Sequence, residues 1–196
     1  MSSIKEINLR RATVADAIAI AQLRIDSWHA TYRGMIPDAY LDEMKLEDSI
    51  VHWRTILEAL ASSATSERIC VFVAESEGQM VGFASGMLLP EPKLGMNAEL
   101  TAVYLRPEWQ RSGIGRRMVQ KVARTLQAQG SDSLLVWVIA DNAIARNFYE
   151  ELGGALLLEQ KFSWDGSDLV EAGYGWQDLS VLMASVNALP SSPSLH

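Results

Sequence analysis

ELTAVYLRPEW (residues 99–109), QRSGIG (110–115) and RRMVQKVARTLQ (116–127) follow one another without a break, and this stretch decides the fold. The first segment is rich in β-formers and is stopped by Pro107, so it reads as a strand. A helix is predicted over 114–129, ended by Gly130. Between them, Gly113 and Gly115 remove side chains where a ligand could approach backbone N–H groups. Those groups lie at a helix start, where unpaired amides and the positive dipole end favour an anion. Arg111, Arg116 and Arg117 add charge. The physical reading is a cradle for a pyrophosphate; the plain alternative is a glycine turn that only lets the helix pack.

Two familiar phosphate loops are excluded. The Gly-x-x-x-x-Gly-Lys-Ser/Thr pattern is absent and no downstream Asp is placed for magnesium, which also removes nucleotide phosphoryl transfer. Gly-x-Gly is not followed by the third glycine of the dinucleotide fingerprint. Charge supports a compact polyanion. Residues 106–124 hold six basic residues against one acid, a net of +5, while the remainder carries 11 basic and 23 acidic residues, a net of −12. An acidic chain with one small basic island suits a nucleotide-sized anion and argues against nucleic acid.

The chain has 196 residues, enough for one domain that buries roughly 70% of its unfolded surface. Apolar residues make up 48% and charged residues 21%, an ordinary globular balance that excludes wholesale disorder. A single cysteine, Cys70, excludes an internal disulfide framework and points to a reducing, cytoplasmic setting. The start MSSIKEINLRRATVADA lacks an apolar signal core, and no 18-residue apolar run occurs, so secretion and membrane spanning are not expected. His29, His52 and His196 are scattered, and no metal site is expected.

Outward from the central stretch, residues 4–11 read as a first strand. Thr13-Val-Ala-Asp16 reads as a capping box, followed by a helix whose apolar face is Ile18, Ala21, Ile25, Trp28 and Tyr32. A short helix is predicted at 37–44 and another carries Ile50, Trp53, Leu57 and Leu60; residues 61–67 are a polar loop. ICVFVAE (69–75) and MVGFASGMLL (80–89) form a hairpin, and 90–97 a loop. Residues 134–140 are a strand buried on both faces, 143–152 a helix, and the segments flanking Asp165-Gly-Ser-Asp168 a second hairpin. The order predicts an α/β fold, a mixed and mostly antiparallel central sheet with helices on both faces. Residues 1–178 form the domain, and 179–196 a terminal helix and partly disordered tail.

The sequence resembles the GCN5-related N-acetyltransferase (GNAT) superfamily. Gln110-Arg-Ser-Gly113-Ile-Gly115 matches its acetyl-CoA motif, and Asn142-Ala-Ile-Ala145-Arg-Asn-Phe148-Tyr149-Glu150 its second motif, about thirty residues on. The resemblance covers residues 4–177; YRGMIPDAYLD (32–42) and EAGYGW are similar to a bacterial subgroup of N-acetyltransferases. One departure stands out: the usual Phe after Leu-Gly is Gly154, leaving its packing place to a neighbour such as Leu156.

The resemblance implies a splayed strand pair that forms the acetyl-CoA cleft. The pantetheine arm would pair with the backbone of Val103 and Leu105 like an added strand. The pyrophosphate would take the amides of Arg111, Ser112, Gly113, Ile114, Gly115 and Arg116, and Gln110, the first residue of the motif, is a further cofactor-binding candidate. Asn142, Ala145 and Phe148 would flank the arm, and a backbone N–H near Val103 or Tyr104 would face the oxyanion. Tyr149 would donate the proton to the departing thiolate, with Glu99 as candidate base, directly or through water. Trp28, Tyr32, Arg33 and Tyr174 are candidate walls of a pocket for a small-molecule amine. A protein N-terminus or lysine, or an inactive CoA-binding module, are the alternatives, and a homodimer is a further expectation.

Overall fold

Ile69–Ser76 (β2) and Gln79–Lys93 (β3) meet across Glu77-Gly78, both at positive φ (51° and 78°), the geometry of a two-residue hairpin turn. The computed structural model describes residues 6–61, 63–164 and 166–184. Around this hairpin the chain adds β1 (Asn8–Arg11), β4 (Met96–Leu105), β5 (Leu134–Ile139), β6 (Ala155–Trp164) and β7 (Ser167–Trp176). The seven strands lie in the order β1-β2-β3-β4-β5-β7-β6. Every pairing is antiparallel except β4–β5, which is parallel and registers only at Glu99↔Leu135. The sheet therefore opens between β4 and β5 beyond Glu99, the splayed pair the resemblance implied.

Helices cover both faces. α1 (Ala17–Tyr32) and α3 (Leu46–Ala59) pack on one, where Ile20, Leu23, Trp53 and Leu57 meet Val71, Val73 and Phe83. On the other, α5 (Ile114–Ala128) presses Met118, Val119, Val122 and Leu126 onto Phe72, Leu100, Leu134 and Val136. α6 (Ala143–Glu151) adds Tyr149 to that second core. α2 (Asp38–Asp42) and the single turn α4 (Ser63–Ser66) are short, and α4 lies where the sequence predicts only a polar loop. α7 (Ser180–Ala184) docks through Leu182, whose carbonyl accepts the buried Gln120 amide at 2.8 Å. The tail expected beyond Ala184, and residues 4–5 of the first strand, lie outside the described residues.

Three further sequence expectations change. Residues 90–97 are not a loop: β3 continues to Lys93 and turns at Leu94-Gly95 into β4. Residues 89–92 of β3 stand against Asn97 alone, so Pro90 and Pro92 fall where no ladder N–H is needed. The buried face of α1 is Ala17, Ile20, Ala21 and Leu23: Ile18 in the first turn is 57% exposed, and Ile25, Trp28 and Tyr32 are only half-buried because the last turns of α1 leave the core and lie over the splay. The place of the family's Phe at Gly154 is filled by Trp176, not Leu156: a Cβ at Gly154 would stand 2.8 Å from the Trp176 indole.

The start of α1 is tied to the sheet by charge. Asp16 accepts the Thr13 N–H at 2.7 Å and hydroxyl at 3.1 Å, as the capping box requires, behind a 3₁₀ turn over Val14–Asp16. Arg10 grips both Asp16 oxygens at 2.8 Å and also pairs with Glu75. The guanidinium of Arg10 holds the Asp16 carboxyl below its ordinary range, against the opposing effect of burial. A depressed pKa stabilises the fold fully above the unfolded value of about 4, and this contribution is lost as pH falls through the folded pKa. We expect Asp16→Asn to lower stability at pH 7 by about 1–2 kcal/mol. Urea denaturation of the variant should also show a weaker loss of stability below pH 4 than the parent.

Candidate active site

The parity of β4 determines what the splay offers. The Arg106 N–H donates to the Val81 carbonyl at 2.9 Å, and Phe83↔Tyr104 and Gly82↔Leu105 follow in register. In an antiparallel ladder the residues that bond to the partner alternate. Tyr104 and Arg106 therefore spend their backbone groups on β3, while those of Val103 and Leu105 point the other way, into the gap left by β5. Gln110 confirms the direction, its side-chain amide reaching the Leu105 carbonyl at 3.4 Å.

Below this open edge lies the start of α5. Arg111 (φ 57°) and Gly113 (φ 81°) are both left-handed, and no atom lies within 4 Å of where a Gly113 Cβ would be. Alternating backbone of this kind turns successive N–H groups inward to make an anion concavity. The first bond of the helix runs from the Arg117 N–H to the Gly113 carbonyl at 3.2 Å, so Ile114 and Gly115 precede the ladder. The Ser112 hydroxyl donates to the Trp109 carbonyl and braces the loop. Gly115 serves packing: its missing Cβ would stand 3.3 Å from the Phe148 ring and 3.4 Å from Leu105. Phe148 thus joins α6 to α5 at the cleft.

Asn142 caps α6, its side-chain oxygen accepting the Ala145 N–H at 3.1 Å. It is buried and reaches the Tyr32 hydroxyl, which in turn interacts with that of Tyr104. Tyr104 also accepts the Trp28 indole N–H at 2.8 Å. Trp28, Tyr104, Tyr32 and Asn142 are thus polar neighbours drawn from α1, β4 and α6 at the splay, with Trp28 bonded to Tyr104. Tyr149 faces the same place: its phenolate would repel those of Tyr104 and Tyr32. Burial pushes the hydroxyls of Tyr32, Tyr104 and Tyr149 up, so all three keep their protons at neutral pH.

On the α1 side of the sheet the splay widens into a cleft of about 350 Å³. Trp28, Tyr32, Thr101, Trp137, Trp164 and Glu171 are among its walls. Trp164 stands edge-on to Trp28 with ring centres 5.6 Å apart, and Tyr40 of α2 packs behind it at 4.7 Å. Thr101 shares a 2.6 Å hydrogen bond with the Ser85 hydroxyl.

Trp28, Tyr32 and Tyr104 are thus brought together with the second motif, but three candidates are not at the cleft wall. Tyr174 is fully buried on the opposite face, donating to Glu150 at 2.7 Å and accepting from Arg146 at 3.0 Å. It falls there because β7 alternation puts Tyr174 with Ala172 and Trp176 in the core around Tyr149. Arg33 points outward and staples the α1–α2 turn to Asp42 at 2.8 Å and Asp38 at 3.6 Å. Glu99 lies between Ala98 and Leu100, which belong to the α5 core, so it does face the α1 side. It sits at the paired root of the splay, however, with Lys93 3.4 Å away. Sequence reasoning missed Trp164, Trp137 and Glu171.

An open strand edge beside a left-handed turn at a helix start, roofed by a second capped helix, is the arrangement of the GNAT fold. The acetyltransferase (GNAT) family model matches residues 24–154, and the chain belongs to that family. It is an acetyltransferase, and its acyl donor is acetyl-CoA. It is 35% identical over 182 residues to the uncharacterized N-acetyltransferase YuaI of Bacillus subtilis (strain 168), covering 92% of this chain and 99% of that one. It is 22% identical to the spermidine N(1)-acetyltransferase of Thermoplasma acidophilum, over 84% of this chain and 94% of the relative. The crystal structure of the PaiA N-acetyltransferase from the same organism, in complex with coenzyme A, superposes with a TM-score of 0.66 at 20% identity. That match covers 85% of this chain and 98% of the other, and bears on the fold. Among the described residues no helix is long and apolar enough to cross a membrane.

Proposed function

We propose that the protein moves the acetyl group of acetyl-CoA to a primary amine of a small molecule, with Tyr149 as general acid. The observation that carries this reading is the aromatic cleft opening onto the splay. Its size suits a small acceptor, and its aromatic faces suit an ammonium ion. The relative whose name specifies spermidine is consistent with an amine of this kind.

The open groups of Val103 and Leu105 suit an extended amide-bearing arm, and the left-handed turn before α5 suits its pyrophosphate. When bound there, acetyl-CoA supplies an activated thioester. Arg111 and Arg116 add positive charge at the pyrophosphate end, while Asn142, Ala145 and Phe148 place the start of α6 beside the arm. A protonated amine has no lone pair, so its proton must leave first. The cleft opens to solvent, and Glu99 at its root takes that proton through water. The Val103 backbone N–H at the splay, not that of Tyr104, which is bonded to β3, faces the developing oxyanion, and Tyr149 gives its proton to the leaving sulfur.

The test is thiol release from acetyl-CoA with a panel of primary amines, amino sugars and peptides bearing free N-termini. The reading expects turnover with small amines and little with peptides. Turnover with peptides alone would replace it by protein acetylation. Tight acetyl-CoA binding without transfer to any acceptor would leave a binding module.

A further inference from the structure

Among the described residues, Glu171 is the only Asp or Glu that lines the cleft, and no step of the proposed reaction uses it. It sits on β7 opposite Ile139 of β5 and Gln160 of β6. One of its oxygens accepts the Gln160 side-chain amide at 2.7 Å, which fixes the carboxylate without neutralising it. Among the described residues no Lys or Arg pairs with it. A fixed, unneutralised carboxylate in a cleft is held for a cation that arrives.

Its surroundings fit the same occupant. The Trp137 indole lies across β7 at Gly173, two residues along the strand, with ring atoms 3.0 and 3.2 Å from where a Cβ would stand. Trp164 forms the facing wall. Arg24 already covers a face of Trp28 at 4.4 Å, so Trp137 and Trp164 are the cleft indoles left for a cation.

Position separates this carboxylate from the chemistry. The reacting amine must stand in the gap between β4 and β5. Glu171 is on β7, across β5 from that gap, a further strand spacing of about 4.8 Å. It can therefore hold a group at some distance from the reacting nitrogen. We propose that the acceptor carries a second cationic group, and that Glu171 with Trp137 and Trp164 is the site that grips it. The inference rests on the amine reading above and names the class within it: diamines and longer amines of the same kind, preferred over monoamines of equal length. Glu171 is then a specificity residue.

The experiment compares a straight-chain diamine with the monoamine of the same length, using the intact protein and Glu171→Gln, which keeps the bond to Gln160. Calorimetry with CoA present reads binding, and thiol release reads transfer. We expect the substitution to weaken the diamine by about ten- to a hundredfold in Kd and KM, the range for a charge-assisted contact. The kcat should stay within about threefold, and the monoamine should be unchanged. Equal losses for both amines, or no loss for either, overturn the proposal. A fall in kcat for both amines with loss of the acidic limb of the pH profile also overturns it, since that is the signature of a base. Diamine binding that needs Glu171, without transfer to any amine, would leave this site standing and remove the amine-acetylation reading.

Discussion

Tyr149→Phe lowers kcat by about a hundredfold or more and leaves the affinity for acetyl-CoA within about twofold. The substitution removes one oxygen from a ring that the core otherwise keeps. Phe148, Tyr174 and Trp176 hold the ring at centre distances of 5.1, 6.5 and 6.2 Å, and none of those contacts needs the hydroxyl. Melting temperature should therefore change little, which separates loss of chemistry from loss of fold. A phenol has an ordinary pKa of about 10 and a thiol one of about 8.5, so the transfer is already close to balanced in water. Burial raises the phenol, yet a thiolate released beside it is desolvated by the same walls and rises with it. The match that makes Tyr149 a usable acid survives. Single-turnover thiol release, with calorimetric titration of acetyl-CoA alongside, reads both quantities. Unchanged kcat would take the proton donor's role from Tyr149.

What was legible in the sequence was local. Thr13 with Asp16 and the Gly113 turn are interactions within a few residues, and the structure shows each where spacing placed it. The splay followed from the resemblance and rests on a single β4–β5 register pair. The acceptor cleft was poorly legible because its walls come from segments more than a hundred residues apart. Trp28 reaches Trp164 only through the β6–β7 hairpin, and Glu171 enters through cross-strand register. Two aromatic residues at period two, Phe162 and Trp164 on one face of an edge strand, were the available signal. Tyr174 and Glu171 show why it was easy to miss: three residues apart on one strand, they face opposite sides. Choosing between those faces requires knowing which one α1 covers. Arg33 failed differently, since Asp38 and Asp42 in the next turn offered it nearer partners than any substrate.

The open edge of β4 supports the second large effect. Val103→Pro removes one N–H and inserts a ring on the side that faces the splay. The β3 ladder does not use that N–H, because Tyr104 and Arg106 carry the bonds to Phe83 and Val81. Proline is tolerated in a strand where the lost donor points away from a partner. The fold should survive with a modest fall in melting temperature, and the side-chain volume against α5 is nearly kept. Acetyl-CoA should bind at least about tenfold more weakly, the worth of one backbone hydrogen bond plus the crowding of the ring. Tyr104→Pro is the control one residue on. It deletes a donor that β3 does use, and with it the hydroxyl that receives Trp28, so it should fail to fold. The alternation itself is the test. If position 103 binds acetyl-CoA normally as proline, the arm does not add to the sheet along β4. If position 104 is tolerated and 103 is not, the register that turns Val103 and Leu105 toward the cleft is wrong.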